Sequence, residues 1–203
     1  TDAVTYAEEL GRDLFDTGLD FDFLDFESLA RATIENSSFN VANEQYRVLI
    51  FPNVHAVRFS SLEQALAFKR AGGIVLALGC IPTCTDRLGS NDPEMRAILE
   101  ELFADFAPNI AAVISSINAN LECDFIPDQE SVCVLHRVIE QQDLYFVFNK
   151  SSESRAVAPL FRNPGQAELW DAWTGTAQTA RGCSQEGAYQ RVPLTLEPQA
   201  AQV

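Results

Sequence analysis

The chain has 203 residues, 47% of them hydrophobic, with 14 Phe, 4 Tyr and 2 Trp, which is enough apolar mass for a core and too much for an intrinsically disordered segment. Against 29 Asp and Glu stand 14 Lys and Arg, a net charge of −15 whose field repels phosphate backbones and anionic lipid heads and so argues against nucleic-acid or membrane-surface partners. The longest apolar stretches, 74–78 and 110–114, fall far short of the roughly 20 residues of a membrane-crossing helix. Thr1 precedes the first amphipathic segment without a basic-then-apolar leader, which reads as a processed or excised piece and leaves both cytoplasmic and secreted compartments open.

Val4, Ala7, Leu10, Leu14 and Phe15 recur at helical spacing and the pattern stops at Gly18, predicting a first helix with a C-terminal glycine. Phe21-Asp22-Phe23-Leu24-Asp25 alternates like a short strand, and residues 26–34 return to helical spacing with Asp25 as N-cap. Residues 46–51, Tyr-Arg-Val-Leu-Ile-Phe, read as a buried parallel strand. Ser60 or Ser61 is expected to cap a helix carrying Leu62, Ala65, Leu66 and Phe68, which ends at Gly72-Gly73 and feeds a strand at 74–78, completing a βαβ unit. Asp92-Pro93-Glu94 starts another helix, and one more is expected over 110–121. Such alternation implies an α/β domain with a doubly wound parallel sheet covered on both faces.

After Pro127-Asp128 the helical period disappears. Residues 132–139 and 144–148 flank Glu140 to Asp143 as a hairpin. Short strands are expected at 156–161, 167–170, 188–192 and 194–196, separated by turns at Asn163-Pro164-Gly165, Thr174-Gly175 and 182–187. The expected organisation is therefore an αβα domain over 1–128 and an antiparallel β segment over 129–203, part of a sandwich.

Phosphate-binding glycine motifs and the G-x-S-x-G serine elbow are absent from the sequence. Five cysteines (Cys80, Cys84, Cys123, Cys133, Cys183) at irregular spacing, with only His55 and His136 to accompany them, give no zinc pattern, and neither metal nor cofactor is implied. Cys80 follows the strand at 74–78, where class I glutamine amidotransferases carry their nucleophile. With His136 as base it is the candidate thiol catalyst, although Pro82 makes a poor frame for the helix start that would depress the thiol pKa. His55 ends another strand and either lines the same edge or closes a loop. Asp20 and Asp22, on one face of the expected strand, form a carboxylate pair suited to acid–base work, or simply a solvated edge. Trp170 and Trp173 flank a turn in Trp-Asp-Ala-Trp-Thr-Gly and can stack on a sugar ring; the alternative is a packed anchor in which Asp171 and Thr174 bond the backbone and Gly175 takes a positive φ.

Taken in order, Phe21 to Asp25, Tyr46 to Pro52, Gly72 to Val75, His136-Arg137, Leu144 to Asn149, Phe161-Arg162, Glu168 to Gly175 and Leu194 to Pro198 resemble the C-terminal part of large bacterial glycoside hydrolases, the α-L-rhamnosidases of family 106. The resemblance implies a flavodoxin-like, class I glutamine amidotransferase-like three-layer αβα domain, similar to the trimerisation domain of some β-galactosidases, running into a β-sandwich. It implies catalytic carboxylates in a barrel N-terminal to this region, and hence a non-catalytic accessory segment whose partner is the remainder of the parent polypeptide or a second copy. The alternatives are a cysteine-dependent amidotransferase-like hydrolase at Cys80 and a carbohydrate-binding module at Trp170 and Trp173.

Overall fold

A computed structural model of the protein describes residues 3–104, 106–129, 131–162 and 165–203. Thr1, and the Asn163-Pro164 part of the turn expected at 163–165, lie outside the described residues. The chain divides into two units, one made of Thr1–Leu10 and Asp22–Asn120, the other of Gly11–Phe21 and Leu121–Val203. Among the described residues no helix is long and apolar enough to cross a membrane.

The first helix, α1, spans Ala3–Asp16. It ends as its glycine predicts: Gly18 adopts φ +78 while Leu19 N donates to Leu14 O and Gly18 N to Phe15 O, the paired bonds of a left-handed helix stop. Helix α2 (Phe26–Arg31) is capped by Asp25, whose carboxylate accepts from Ser28 N at 2.6 Å. The alternating run 21–25 joins no ladder, so the strand expected there is corrected to irregular backbone, and Asp20 and Asp22 share no strand face. The helix also stops at Arg31, and Ile34 enters an antiparallel meander of β1 (Thr33–Glu35), β2 (Ser38–Val41) and β3 (Glu44–Tyr46). Asn36 and Ser37, both at positive φ, turn β1 into β2, and Phe39 of β2 sets its ring edge-on to Phe68 in the core.

Strand β4 (Val48–Pro52) runs parallel to β6 (Ile74–Leu78), and α3 (Phe59–Arg70) connects them. A shorter parallel pair, β5 (Ala56–Val57) with β7 (Cys84–Thr85), lies at the carboxyl ends of these strands in the sequence. The predicted strand at 46–51 is thus divided, with Tyr46 in the meander, and β4 is half-buried where full burial was expected. Helix α3 begins at Phe59, whose N–H donates to Asp86, so Ser60 and Ser61 sit inside the helix and do not cap it; Ser61 is buried instead. Gly73 follows because a side chain has no room there: a Cβ would stand 2.1 Å from the buried Phe68 ring. Helix α4 (Pro93–Leu102) is capped by Asp92, which also takes two hydrogen bonds from Arg87, and α5 covers Ile110–Asn120. The helix, meander and βαβ side chains share one core around Leu62, Phe68, Ala77 and Leu102. Among the described residues the sheets are several and small, and the parallel ladders, β4–β6 and β5–β7, have two strands each where a doubly wound sheet was expected.

The second unit is antiparallel throughout its described ladders. It contains β8 (Phe125–Ile126), β9 (Val132–Ile139), β10 (Gln142–Asn149), β11 (Arg155–Val157), β12 (Leu160–Phe161), β13 (Glu168–Asp171), β14 (Thr176–Thr179), β15 (Ser184–Glu186), β16 (Tyr189–Arg191), β17 (Leu194–Leu196) and β18 (Ala201–Gln202). The β9–β10 hairpin turns on Glu140 and Gln141 alone, with Glu140 at φ +57, so Gln142 and Asp143 belong to the strand and not to the loop. The single strand expected at 156–161 is two, β11 and β12, pairing with β17 and β16 respectively. Phe125, Val132, Val147, Phe161 and Leu196 fill the core, and Gly18 abuts Phe125 so closely that a Cβ there would meet its ring at 2.8 Å. Asn149, fully buried at the end of β10, donates its amide to the carbonyls of Glu153, Leu196 and Glu197 and accepts from the Ser151 N–H and hydroxyl.

Candidate functional site

Cys80 stands just past the carboxyl end of β6, after Gly79 at φ +81. Its Sγ lies 3.6 Å from Nδ1 of His55, which follows β4, because neighbouring parallel strands end side by side. The chain then runs through Ile81-Pro82-Thr83 into β7, with no helix start to stabilise a thiolate, and burial pushes the thiol pKa up. Cys80 and His136 belong to different units. Of the two carboxylates weighed for acid–base work, Asp22 accepts from the Tyr46 hydroxyl at 2.7 Å; the nearby Asp25 caps α2 as expected.

In the second unit His136 is clamped between two carboxylates, with Nε2 2.8 Å from Asp143 and Nδ1 3.6 Å from Asp124. Asp124 and then Asp143 raise its pKa against the opposing effect of burial, while the imidazole holds the Asp124 carboxyl below its usual range. The His136 ring stacks on Tyr145, centroids 4.4 Å apart and nearly coplanar in tilt at 7°. This makes His136 a rigid strut rather than a base with an open face.

Tyr145 and Asp143 line a cleft of about 620 Å³ in the same unit. Its apolar floor comes from Val147, Phe161, Val192 and Leu194, while Trp170 and Glu168 stand at its wall. Two residues apart on β13, they share one side of the strand, and the indole N–H donates to the Glu168 carboxylate at 3.1 Å, fixing the ring tilt. Trp170 is 45% exposed. Trp173, 96% exposed, rides the turn between β13 and β14 and does not line the cleft. Asp171 shapes that turn by accepting from the backbone N–H groups of Trp173 and Thr174, and Gly175 takes φ +69. The Asp171 and Gly175 parts of the anchored-turn alternative are therefore present, whereas the Thr174 hydroxyl pairs with that of Thr176 at 2.9 Å and Trp173 is not buried. Sequence reasoning missed Tyr145, Glu168 and the glutamines of this cleft; the two-residue spacing of Glu168 and Trp170 was the available signal. Among the described residues no group of three or more His, Cys, Asp or Glu is placed to hold a metal ion.

A family model described as alpha-L-rhamnosidase, glycoside hydrolase family 106, matches residues 5–182. The chain belongs to this family. A rhamnosidase from Novosphingobium sp. PP1Y shares the fold, with a TM-score of 0.74 at 17% identity over 92% of this chain and 19% of the solved one. A curated protein of Formosa agariphila named as a beta-glucuronidase is 24% identical over 168 residues, 78% of this chain. The chain spans only 14% of that relative's length.

Proposed function

We propose that this family 106 segment is a non-catalytic accessory part of a larger glycoside hydrolase, acting on rhamnoside-like substrates through chain outside these residues. The observation that carries the reading is the extent of the match: the segment accounts for 14% and 19% of the two similar proteins. The titratable groups support it. His136 is committed to two carboxylates and a stacked tyrosine, and the Cys80 thiol is made less acidic by burial. In this reading the first unit is a reduced flavodoxin-like, amidotransferase-like αβα domain built on β4–α3–β6, the second is part of a β-sandwich, and the partner is the remainder of the parent polypeptide. The test is hydrolysis of 4-nitrophenyl α-L-rhamnopyranoside by the purified 203-residue chain, where no release above the buffer rate is expected. Turnover by the chain alone would overturn the reading. A thiol hydrolase at Cys80 is the second reading, favoured by the 3.6 Å approach of His55.

A further inference from the structure

The cleft of the second unit is lined by uncharged amides to which none of the structural roles above gives a use. Among its described lining residues are five glutamines (Gln141, Gln142, Gln166, Gln190, Gln202) and two carboxylates, Asp143 and Glu168, with no lysine, arginine or histidine. A phosphate or carboxylate ligand would find no countercharge there, and the two carboxylates would repel it. Gln202 spends its amide N–H groups on the carbonyls of Trp170 and Val203, and Gln166 donates to Thr179, but the amides of Gln141, Gln142 and Gln190 offer both donors and an acceptor, which is what a sugar hydroxyl, itself donor and acceptor, can satisfy. Trp170 and Tyr145 supply aromatic surface beside those amides, and Val147, Phe161, Val192 and Leu194 make the floor apolar. An aromatic wall, an apolar floor and a few convergent polar groups in about 620 Å³ match the size and character of a small-molecule site.

From this combination we infer that the cleft binds a neutral saccharide, one ring face lying on Trp170 and its hydroxyls meeting Gln142, Gln190 and Glu168. The tilt of the indole is set before any ligand arrives by its bond to Glu168, so little ordering is needed at that wall. Trp173 takes no part, since it does not line the cleft. The inference rests on the accessory reading, because it assigns the chain recognition without bond cleavage.

The test is ligand-observed saturation-transfer NMR on the whole chain, titrating methyl α-L-rhamnopyranoside, methyl β-D-galactopyranoside and methyl β-D-glucuronide. Saturable binding of at least one neutral glycoside is expected, weakened roughly tenfold or more by Trp170→Ala and by Gln190→Ala and left unchanged by Trp173→Ala, with the glucuronide at least about tenfold weaker. Trp170→Phe keeps an aromatic face and is expected to retain binding, which separates loss of the stacking surface from loss of the fold. Absence of saturation with both neutral glycosides overturns the inference, as does equal loss in Trp173→Ala or glucuronide binding as tight as the neutral sugars. Free sugar accumulating in the same samples would overturn the accessory reading separately.

Discussion

Replacing Asn149 with alanine removes five side-chain hydrogen bonds from a position with no exposed surface. At about 1 kcal/mol net for each bond the ceiling is about 5 kcal/mol. Glu153 and Glu197 are exposed residues whose carbonyls can take up water again, whereas Leu196 is buried and its carbonyl cannot, so about 3 kcal/mol is expected. Trp170 and Trp173, the two tryptophans of the chain, both belong to the same unit as Asn149, which makes tryptophan fluorescence in urea a local reporter. With a slope of about 2 kcal/mol per M the midpoint should fall by roughly 1.5 M. Asn149→Asp adds a pH signature. Its carboxylate would face three carbonyl oxygens, so the folded pKa rises above the unfolded value of about 3.9; stability is retained below that value and lost as pH rises through the folded one. A loss below about 1 kcal/mol in Asn149→Ala at unchanged slope, or an Asn149→Asp variant indifferent to pH between 4 and 8, would refute the argument that this amide locks β10 to the segment beyond β17.

The raised pKa of His136, owed to Asp124 and then Asp143, puts its contribution fully in place below about 6.5 and removes it as pH climbs through the folded value. Asp124, lowered by His136, contributes above about 3.8 and is lost as pH falls through its own folded value. Urea midpoints read by fluorescence should therefore decline above pH 6.5 in the natural chain and decline less in His136→Gln; equal slopes would contradict the clamp. Gly73→Ala forces the buried Phe68 ring aside and should cost about 1–3 kcal/mol, measured by thermal melting followed in the far ultraviolet; an unchanged midpoint would mean the ring yields freely. Iodoacetamide should alkylate Cys80 slowly at neutral pH, located by peptide mass spectrometry, and at the same rate in His55→Ala. Fast labelling that collapses in His55→Ala would move the thiol-hydrolase reading ahead of the accessory one.

What could be read from the residues was whatever had a strong period or a local stop signal. Gly18, Asp25 and Asp92-Pro93 act on their own neighbours, so α1, α2 and α4 were legible to within a residue or two at the signalled ends. The run at 74–78 was legible because a fully apolar strand needs no partner to be recognised. The meander over 33–46 was hidden because its first turn uses Asn and Ser at positive φ and its strands are largely polar. Strands β14 and β15 are exposed along their whole length and carry no alternation to find. Conversely, 21–25 alternates without pairing, since its acidic residues are used for contacts such as the Tyr46 bond to Asp22. Trp170 could be singled out by residue type, but the glutamines around it could not: uncharged amides have no spacing signature until the strands bring them together. The 3.6 Å pairing of Cys80 with His55 is of the same kind, a product of two strands ending together 25 residues apart.

The division of the chain also bears on synthesis. Residues 11–21 leave the ribosome about a hundred residues ahead of 121–203, the rest of the unit they complete, which at ~5–20 residues per second is a wait of several seconds. Through that interval Leu14 has not yet met its unit, Gly18 has no Phe125 beside it and Asp16 has no Lys150 to pair with. The order of emergence thus makes an apolar-faced helix end depend on sequence translated about a hundred residues after it, so a product ending near residue 120 would keep that face uncovered.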